Sequence, residues 1–470
     1  MRILLLSEAR GEFLLVERIR DALGRRGIES RHVTALATDL STAEAAQSAV
    51  DALEHQPECI EAMRLDGAEL AHAVEREQQA LGLNLRRVWQ ADMRSWREGH
   101  GDDEMARIAV GYSRALRRIL EDERPTAVWG EDGGHLCKQL GYALCRPLGI
   151  ELLFLWAGPL PGRIVLYGDV LASNDRAEFE AFQPTPDELA YAAEFVDSVR
   201  TSRVQYTFSR DMSLRPSRFT NFARLLAQRY VTRPPGAESL HPWRFAQLYF
   251  RQRARAARLR RFYRPVGSRP FVFYPVHVAN DTQISVRAHE WANQMALIEH
   301  LAVSLPYGYE LAIKEHPFQV GALPPHSLHA LLARRPEIRL LDPTTHAHAV
   351  IPLCAALATI NSTAGFEGLF FGKPVITFGH SSYRGLGLTF DVVDPFETPQ
   401  VVLDALGSDG PAPDDVIRLA AFLYRRSTPG YPLSVDTSDA NVEYYAERIA
   451  RHLSEPAAQA ASGRLAAGAR

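Results

Sequence analysis

The chain has 470 residues, of which 46% are hydrophobic, and its formal net charge is −3. This length exceeds what one ordinary core requires, so two or three domains are expected, and the charge gives no global reason to expect nucleic acid. No stretch has the roughly 18 uninterrupted apolar residues of a membrane span. The four cysteines are scattered without a CxxC pair, which argues against a disulfide framework and against a thiolate metal site.

The first third of the chain alternates strands and helices. Its opening apolar run, Met1–Ser7, is too short for a signal peptide and is read as a buried strand. The elements that follow are a helix Phe13–Arg25, a strand Arg31–Thr34, a helix Arg107–Glu123, a strand Thr126–Trp129, a helix His135–Cys145 and a strand Leu152–Trp156. This alternation predicts a doubly wound parallel sheet.

The pattern changes to helices and loops between about Asp175 and Arg264, and then the alternation returns. The second set comprises strands Phe271–Val278, Tyr309–Ile313, Ile338–Leu341, Ala355–Ile360 and Pro374–Phe378, with a helix near Val286–Leu301. Two Rossmann-like halves joined by a helical connector are the outline of the GT-B glycosyltransferase architecture. The predicted divisions are 1–174 for an N-terminal, acceptor-side domain, 175–268 for the connector, 269–425 for a nucleotide-sugar-binding domain, 426–455 for a helix returning to the N-terminal domain, and 456–470 for a disordered tail.

The strand-to-helix turn at residues 361–363 is a candidate phosphate site, because open α/β folds bind ligands at the carboxyl ends of their strands. The hydroxyls of Ser362 and Thr363, the small residue Gly365 and the following helix dipole can together hold an anion. The same residues also form an ordinary helix N-cap. The arrangement is like that of nucleotide-sugar transferases, in which the acidic residue, here Glu367, reaches a ribose or sugar hydroxyl.

A second candidate is the run Lys314-Glu315-His316-Pro317, which follows a buried apolar strand. A histidine before proline is held extended, so His316 can donate to a phosphoryl oxygen or protonate a leaving phosphate. A lone histidine is more often structural, but Lys314 on the same strand face favours an anion site, and Glu315 should point the opposite way. We therefore assign Lys314, His316 and Pro317 to phosphate binding.

Two adjacent carboxylates, Glu131 and Asp132, precede a Gly-Gly turn at the end of another strand. They could bind a metal, act as a general base, or cap the helix that begins near His135. A metal is disfavoured because no DxD-like partner is present near the phosphate motifs and because Lys314 and His316 can supply the positive charge instead. We expect both carboxylates to be catalytic and to face the phosphate site across an interdomain cleft.

The strand Phe271–Val278 ends in a polar cluster that contains Asn280, Asp281 and Gln283. The cluster should lie at the same sheet edge as the histidine and hydroxyl motifs. Asn-Asp-Thr is also ordinary turn and N-cap chemistry. Convergence from three separate strands favours a ligand site, with Asp281 catalytic and with Asn280 and Gln283 contacting the sugar.

Several of these segments resemble motifs of known enzymes. The segments Phe271–Ile284, Lys314–Pro317 and Ile360–Gly379 resemble the bacterial capsule polysaccharide synthesis proteins, whose characterised members are retaining β-Kdo transferases that use CMP-β-Kdo. The motifs Glu131–Gly133, His316-Pro317 and Ser362-Thr363 are also similar to those of bacterial sialyltransferases, which use a CMP-activated keto-sugar acid and a GT-B fold. Both resemblances imply a CMP-sugar donor and no cofactor.

The resemblance implies two versions of the mechanism. In the sialyltransferase-like version, Asp132 is the general base on the acceptor hydroxyl and His316 assists the departure of CMP. In the β-Kdo-like version, Asp281 attacks the anomeric carbon and Glu131 or Asp132 later activates the acceptor, which gives retention by two displacements. The similarity around Asp281 favours retention. A CMP-sugar has one phosphate, so a histidine, lysine and hydroxyl pocket would suffice without magnesium.

The segment Trp243–Arg264 interleaves arginines with aromatic residues and is predicted to be a basic amphipathic helix. It could lie on anionic lipid headgroups or recruit an anionic glycan acceptor. It could equally be an interdomain helix whose arginines reach acidic partners on the N-terminal half.

The expected function is transfer of Kdo or a related nonulosonic acid to a glycan or glycolipid acceptor in bacterial surface polysaccharide synthesis. The alternatives are a UDP-sugar-using enzyme of the same fold, either a transferase or a 2-epimerase, and a non-catalytic GT-B-like scaffold protein. No nucleic acid partner is expected. The expected location is cytoplasmic, with contact to the inner face of the cytoplasmic membrane.

Overall fold

The computed structural model describes residues 2–8, 10–35, 50–92, 94–95, 100–131, 133–168, 174–202, 216–232, 242–279, 281–433 and 435–454. Their strands form one seven-stranded and one six-stranded sheet. The candidate residues Asp132 and Asn280 lie outside the described residues, as does the tail 456–470.

The first sheet contains β1 (Arg2–Ser7), β2 (Glu29–Thr34), β3 (Val50–Ala52), β4 (Ala127–Glu131), β5 (Glu151–Ala157), β6 (Arg163–Tyr167) and, from far along the chain, β13 (Ser427–Pro429). Their order is β13-β6-β5-β4-β1-β2-β3. Strands β1 to β5 pair in parallel, whereas β6 is antiparallel to both β5 and β13. The central strands β1 and β4 are buried on both faces, which explains their continuous apolar sequence.

The helices of this half are α1 (Arg10–Arg25), α2 (Pro57–Ala62), α3 (Gly67–Leu81), α4 (Leu85–Ala91), α5 (Asp102–Glu123) and α6 (Leu136–Cys145). Helices α5 and α6 bury an apolar stripe on one face of the sheet, around Tyr112, Leu116 and Leu140. Helix α1 covers the other face of the sheet, where it buries Val16 and Ile19. The sheet is therefore covered by helices on both faces, as a parallel sheet requires.

The second sheet contains β7 (Phe271–Pro275), β8 (Glu310–Lys314), β9 (Ile338–Leu340), β10 (Ala356–Thr359), β11 (Val375–Thr377) and β12 (Phe390–Asp391). Its order is β12-β11-β10-β7-β8-β9, and its neighbouring strands all pair in parallel. The chain moves to one side of β7 with β8 and to the other side with β10. Such a reversal opens a crevice at the carboxyl ends of the two central strands, where ligands bind.

The remaining described helices are α7 (Arg176–Ala181), α8 (Pro186–Ser202), α9 (Pro216–Ala227), α10 (Pro242–Leu259), α11 (Thr282–Ser285), α12 (Gln294–Ser304), α13 (Pro325–Arg334), α14 (Ala347–Val350), α15 (Thr363–Phe370), α16 (Thr398–Leu406), α17 (Pro413–Arg425) and α18 (Asp439–Ser454). Short 3-10 segments lie at Leu53–His55, Arg260–Phe262, His289–Trp291, Pro317–Gln319, Ile351–Leu353 and Pro395–Glu397, and a π-helical turn extends α9 over Gln228–Thr232. Helix α8 packs on α17 and α15, so this part of the predicted connector shares the core of the second half.

The last elements return to the first half of the molecule. Strand β13 adds to the edge of the first sheet beside β6. Helix α18 packs on α1 and buries Val442, Tyr445 and Ile449 in the same cluster as Ile3 and Trp129. The predicted α/β class, with two Rossmann-like parallel-sheet domains of GT-B type facing a cleft, is confirmed.

One predicted element is wrong. The apolar pattern predicts a helix near Val286–Leu301, but the structure has the short α11, a 3-10 turn and only then α12. The Asn293 side chain accepts a hydrogen bond from Ala296 N at 3.2 Å and caps α12. Since a cap fixes the first turn of a helix, α12 begins eight residues later than its apolar spacing indicates.

Candidate active site

A cleft with a volume of about 350 Å³ lies between the two sheets. The carboxyl ends of β7, β8 and β10 form one wall, and the loop after β5 forms the opposite wall. The sequence-predicted residues that line it are Asp281, Gln283, Lys314, His316, Pro317, Ser362, Thr363 and Glu367. Three separate strands thus bring the histidine, hydroxyl and Asp281 motifs to one site, because all three run in the same direction through the sheet.

The hydroxyl motif sits where β10 turns into α15. Ser362 is the N-cap residue, but its hydroxyl does not cap the helix; Ser362 Oγ lies 3.0 Å from Thr359 Oγ1. A helix leaves its first amides without intrahelical partners, and its N-terminus carries partial positive charge. Because the turn at Ser362 and Thr363 lines the cleft, these amides and the Thr363 hydroxyl can donate hydrogen bonds to an anion there.

Gly365 acts through packing rather than through contact with the cleft. A Cβ at this position would lie 2.3 Å from Tyr383 Oη and 2.7 Å from Thr359 Cγ2. Tyr383 Oη in turn donates a hydrogen bond to the Ser362 carbonyl at 2.6 Å. The glycine is therefore required for the phosphate turn to lie against Tyr383.

Lys314 is the last residue of β8 and is only 4% exposed although it lines the cleft. Burial lowers the pKa of its ammonium to about 8, while the carboxylates of Glu367 and Asp342 act in the opposite direction. The side chain is thus a buried cation that remains mostly protonated at neutral pH. A bound phosphate would supply the counter-charge that burial withholds.

His316 is half-buried beside Lys314, and burial followed by the lysine charge lowers the pKa of its imidazole to about 4. It is therefore neutral in the free protein at neutral pH. An anionic phosphate nearby favours the protonated form and would raise this pKa, which general acid catalysis requires.

Glu315, between these two residues, serves the backbone. It is fully buried, and its carboxylate accepts hydrogen bonds from Gly321 N and from Leu323 N at 3.0 to 3.2 Å. The carboxylate thus fixes the turn that follows His316. This geometry positions the imidazole of His316.

Asp281 caps α11: its Oδ1 accepts a hydrogen bond from Gln283 N at 2.9 Å, and the side chain is exposed in the cleft. The Gln283 carbonyl accepts a hydrogen bond from Asn361 Nδ2 at 2.6 Å. This bond ties the end of β7 to the phosphate turn after β10. The backbone of both loops therefore holds the Asp281 carboxylate in the cleft that Ser362 and Thr363 also line.

His277 is a site residue that sequence reasoning missed. It is 6% exposed, and its Nε2 accepts a hydrogen bond from Asn361 N at 3.3 Å and lies 3.2 Å from Thr359 Oγ1. Burial and the neighbouring His316 lower the pKa of its imidazole to about 3, so it is neutral. The sequence signal that could have identified His277 is its position after the first strand of the second sheet, next to the Asp281 cluster. Its contacts assign it to positioning the phosphate turn.

Glu367 lines the cleft from below the turn and is buried. Its Oε2 lies 3.0 Å from His348 Nε2, and its charge acts on Lys314. The carboxylate therefore lies within hydrogen-bonding distance of an imidazole, and its negative charge favours the protonated form of Lys314. Its evident effect is to hold Lys314 protonated.

The structure corrects the expectation that Glu131 faces the phosphate site. Its side chain is buried under α18, where Oε1 accepts hydrogen bonds from Tyr445 Oη and, at 2.8 Å, from Leu433 N. Burial raises the pKa of Glu131 to about 8, so this carboxyl is largely protonated at neutral pH. Returning elements from the end of the chain cover it, which a local sequence pattern cannot show.

We expect Glu131→Gln to keep near-normal activity and to change the pH dependence of stability. A pKa raised from 4.5 to about 8 means that the folded protein holds an extra proton between these values. The wild type therefore loses free energy of unfolding as the pH rises from about 4.5 to about 8, by at most about 1.4 kcal/mol per pH unit. Denaturant unfolding at pH 5 and pH 9 should show the glutamine variant gaining relative to the wild type at pH 9. Loss of activity in a folded glutamine variant would return Glu131 to the catalytic set.

The N-terminal wall of the cleft is aromatic and was also missed. It includes Trp156, Tyr167 and Tyr431, and the guanidinium of the buried Arg287 lies 5.4 Å from the Tyr167 ring centre. Gly162 has φ +66°, and a Cβ there would lie 3.0 Å from Tyr431 Oη, so the turn between β5 and β6 lies tightly against this tyrosine. An aromatic wall opposite a cationic one suits a sugar ring that carries a negative charge.

Among the described residues, one group has the geometry of a metal site: Glu8, Asp92 and His135. Arg94 donates to Glu8 and, through Nε at 3.1 Å, to Asp92 Oδ1. The guanidinium supplies the positive charge that a metal would otherwise bring. The group does not belong to the cleft lining.

A family model described as capsule polysaccharide biosynthesis protein matches residues 192–398. The predicted resemblance to the capsule polysaccharide synthesis proteins is confirmed. The matched range includes β7, β8, β10 and α15, and therefore the whole C-terminal wall of the cleft.

A curated relative and two solved structures add to this finding. Protein FixF of Sinorhizobium fredii (strain NBRC 101917 / NGR234) is 32% identical over 133 residues, which cover 27% of this chain and 30% of FixF. The chain thus matches less than a third of that relative's length. KpsC of Thermosulfurimonas dismutans, a beta Kdo 2,4 transferase, superposes with a TM-score of 0.35 and 16% identity over 63% of this chain and 80% of that one.

MnaA of S. aureus, solved with UDP, superposes with a TM-score of 0.29 and 10% identity over 96% of this chain and 95% of that one. At these scores and identities, neither solved structure bears on the reaction of this chain. No helix among the described residues is both long and apolar enough to cross a membrane.

Proposed function

We propose that the chain is a glycosyltransferase that moves a CMP-activated keto-sugar acid, Kdo or a related nonulosonic acid, onto a glycan or glycolipid acceptor. The observation that carries this proposal is the convergence of Lys314, His316 and the N-terminus of α15 in the cleft that also holds Asp281. A cation, a titratable imidazole and the N-terminus of a helix are what one phosphodiester needs. The match to capsule polysaccharide biosynthesis proteins over this wall supports the acceptor class.

We propose that the reaction is independent of metal. CMP leaves with a single phosphate, so less negative charge develops than on a leaving diphosphate. Lys314, buried with a pKa of about 8, and the helix dipole can stabilise that charge. Arg287, buried at the end of the cleft near Tyr167, is placed to attract the carboxylate of the sugar acid.

We propose the retaining version of the mechanism, which the exposure of the Asp281 carboxylate in the cleft supports. Its carboxylate oxygen forms a bond to the anomeric carbon while the bond from that carbon to the phosphate oxygen breaks, and protonated His316 gives its proton to the departing CMP. The acceptor oxygen then attacks the same carbon, the bond to Asp281 breaks, and a base takes the acceptor proton. With Glu131 buried outside the cleft, Asp132 remains the candidate for that base.

Binding of CMP to the free protein tests the donor class. CMP at 100 times its dissociation constant is expected to raise the free energy of unfolding by about 2.7 kcal/mol, and UDP at the same concentration by clearly less. Thermal unfolding with each nucleotide measures this. The shift should shrink in His316→Ala and persist in His72→Ala, which removes an exposed imidazole outside the cleft. A larger shift with UDP than with CMP would make the chain a UDP-sugar enzyme.

We also propose that the protein works at the inner face of a membrane, with α10 as the contact. Helix α10 packs on α9 and on α13 of the second domain, which leaves its arginines and aromatic residues at the surface. This position favours a membrane contact over the interdomain interpretation of the same segment. A glycolipid acceptor would be presented at such a surface.

A further inference from the structure

The hairpin of α9 and α10 and the segment that follows concentrate positive charge. Residues 216–264 contain twelve arginines and one acidic residue, whereas the whole chain has a net charge of −3. The positive charge is therefore local, and acidic residues elsewhere in the chain compensate for it. A patch of this kind predicts an anionic partner.

Part of this charge surrounds a recess between α10 and the start of α13. The recess has a volume of about 420 Å³ and is lined by Arg251, Arg255, Arg258, Arg261 and the segment 324–326. No carboxylate is among its described lining residues. Burial, together with the charge of Arg251, lowers the pKa of Arg255, so these guanidinium groups repel one another. An anion in the recess would relieve that repulsion.

Helix α13 contributes the positive end of its dipole to the same recess. The helix has 10 residues, its N-cap is Pro324, and no side chain caps it. Pro325 has no N–H, and the first-turn amides after it are those that a helix leaves without intrahelical partners. The recess therefore combines four guanidinium groups with a helix N-terminus, which is the chemistry that binds phosphoryl oxygens.

The fold holds the two helices together at one close contact. Gly321 has φ +88°, and a Cβ there would lie 2.3 Å from the carbonyl oxygen of Gln252 on α10. The amide of Gly321 donates to the Glu315 carboxylate, which also fixes the turn after His316. The segment 324–326 of the recess therefore follows closely on the turn that Glu315 fixes after His316.

Exposed apolar side chains flank the arginines. Trp243 and Phe250 are each 63% exposed and lie two helical turns apart, hence on the same side of α10. Phe250 directly precedes Arg251, so the aromatic side adjoins the arginine side. Tyr230 and Val231, in the π-helical turn after α9, are also exposed, Val231 by 77%. Aromatic and basic residues side by side are typical of a surface that enters the headgroup region of a bilayer.

We propose that the recess binds the phosphoryl oxygens of anionic phospholipid headgroups while Trp243 and Phe250 enter the lipid interface. The exposed aromatic residues select a lipid surface over a soluble anion, because a soluble anion gains nothing from them. The inference deepens the proposed membrane contact of α10, because it names the recess that binds the lipid and the lipid group that is bound.

Vesicle sedimentation of the full chain tests the recess. Wild type should bind vesicles of phosphatidylglycerol and phosphatidylcholine but not vesicles of phosphatidylcholine alone. Each basic residue near an anionic surface contributes on the order of 1 kcal/mol, so Arg255→Ala with Arg258→Ala should lower the partition roughly 30-fold. Trp243→Ala should lower it as well. The matched control, Arg253→Ala with Arg260→Ala, removes the same charge from two exposed positions outside the recess lining and should bind nearly as wild type does.

Equal losses of vesicle binding in the two double variants would refute lipid binding by the recess, because diffuse charge attraction would explain them. Unchanged vesicle binding in the recess variant would also refute it. Stabilisation of the protein by inorganic pyrophosphate, without vesicle binding, would assign the recess to a soluble anion and refute the lipid. The CMP-induced thermal shift should be retained in the recess variant, since its arginines lie outside the cleft. The lipid result and the donor result can therefore fail independently.

Discussion

Asp281→Ser should lower sugar transfer by roughly 10³-fold or more while leaving the free energy of unfolding within about 0.5 kcal/mol of the wild type. The carboxylate is the proposed nucleophile, and serine cannot form the same glycosyl ester at a comparable rate. Serine is nevertheless a good N-cap, so it can replace Oδ1 in the hydrogen bond from Gln283 N. The loss should therefore be chemical and not structural.

Asp281→Ala separates the two contributions. Alanine removes both the nucleophile and the cap, so it should lower transfer as much as serine does and also cost about 1 kcal/mol of stability. Transfer from CMP-β-Kdo to an acceptor glycan measures the first effect, and thermal unfolding measures the second. In the wild type, mass spectrometry of a slow-turnover reaction should find the sugar attached to Asp281.

A different pair of results would indicate a single displacement instead of two. If Asp281→Ser transfers sugar at near the wild-type rate while Asp132→Ala is inactive, then the reaction proceeds by one displacement and Asp132 is the base. The stereochemistry of the product would then be inverted, which NMR of the anomeric centre can establish.

Lys314→Met should weaken CMP binding by about 100-fold and should stabilise the free protein at neutral pH. Removing one partner of a buried charge pair costs roughly 2–5 kcal/mol of binding. In the free protein the same ammonium is a buried cation whose pKa burial has lowered to about 8. Replacing it with an apolar side chain of similar length removes that desolvation cost. Lys373→Met, outside the cleft, is the matched control and should change neither quantity in this way.

The pH dependence gives an independent measurement. The lysine pKa is lowered from 10.5 to about 8 in the folded protein, so the unfolded chain binds more protons between these values. Stability of the free wild type should therefore rise with pH across that window, by at most about 1.4 kcal/mol per pH unit. Affinity for CMP should fall over the same window, because the phosphate requires the protonated amine. The methionine variant should show neither slope, and a wild-type affinity that stays constant from pH 7 to 10 would refute a role for Lys314 in phosphate binding.

The two sheets and the C-terminal wall of the cleft were readable from the sequence because their signals are local. The apolar runs of β7, β8 and β10 each end in polar residues, and parallel strands in one sheet must present those ends at one edge. The start of α15 at Thr363 follows from the same pattern, because a strand-to-helix turn was predicted at residues 361–363. The resemblance to capsule polysaccharide synthesis proteins rests on these same local segments.

The edge strands could not be predicted in the same way. Strand β13 is three residues, Ser427–Pro429, without apolar alternation. It pairs antiparallel to β6, and the pairing depends on the chain crossing from the second domain back to the first. Only the assembled sheet provides the partner.

What the sequence determined by itself is which side chains stand at the carboxyl ends of the strands, because periodicity and turn chemistry are properties of neighbouring residues. What only the tertiary structure decided is which of those side chains face the cleft. Glu131 accepts a hydrogen bond from Tyr445 on the last helix, and His277 accepts one from the amide of Asn361, which follows β10. Burial and long-range hydrogen bonds set the charge state of each group, and these depend on contacts between segments that are far apart in the chain.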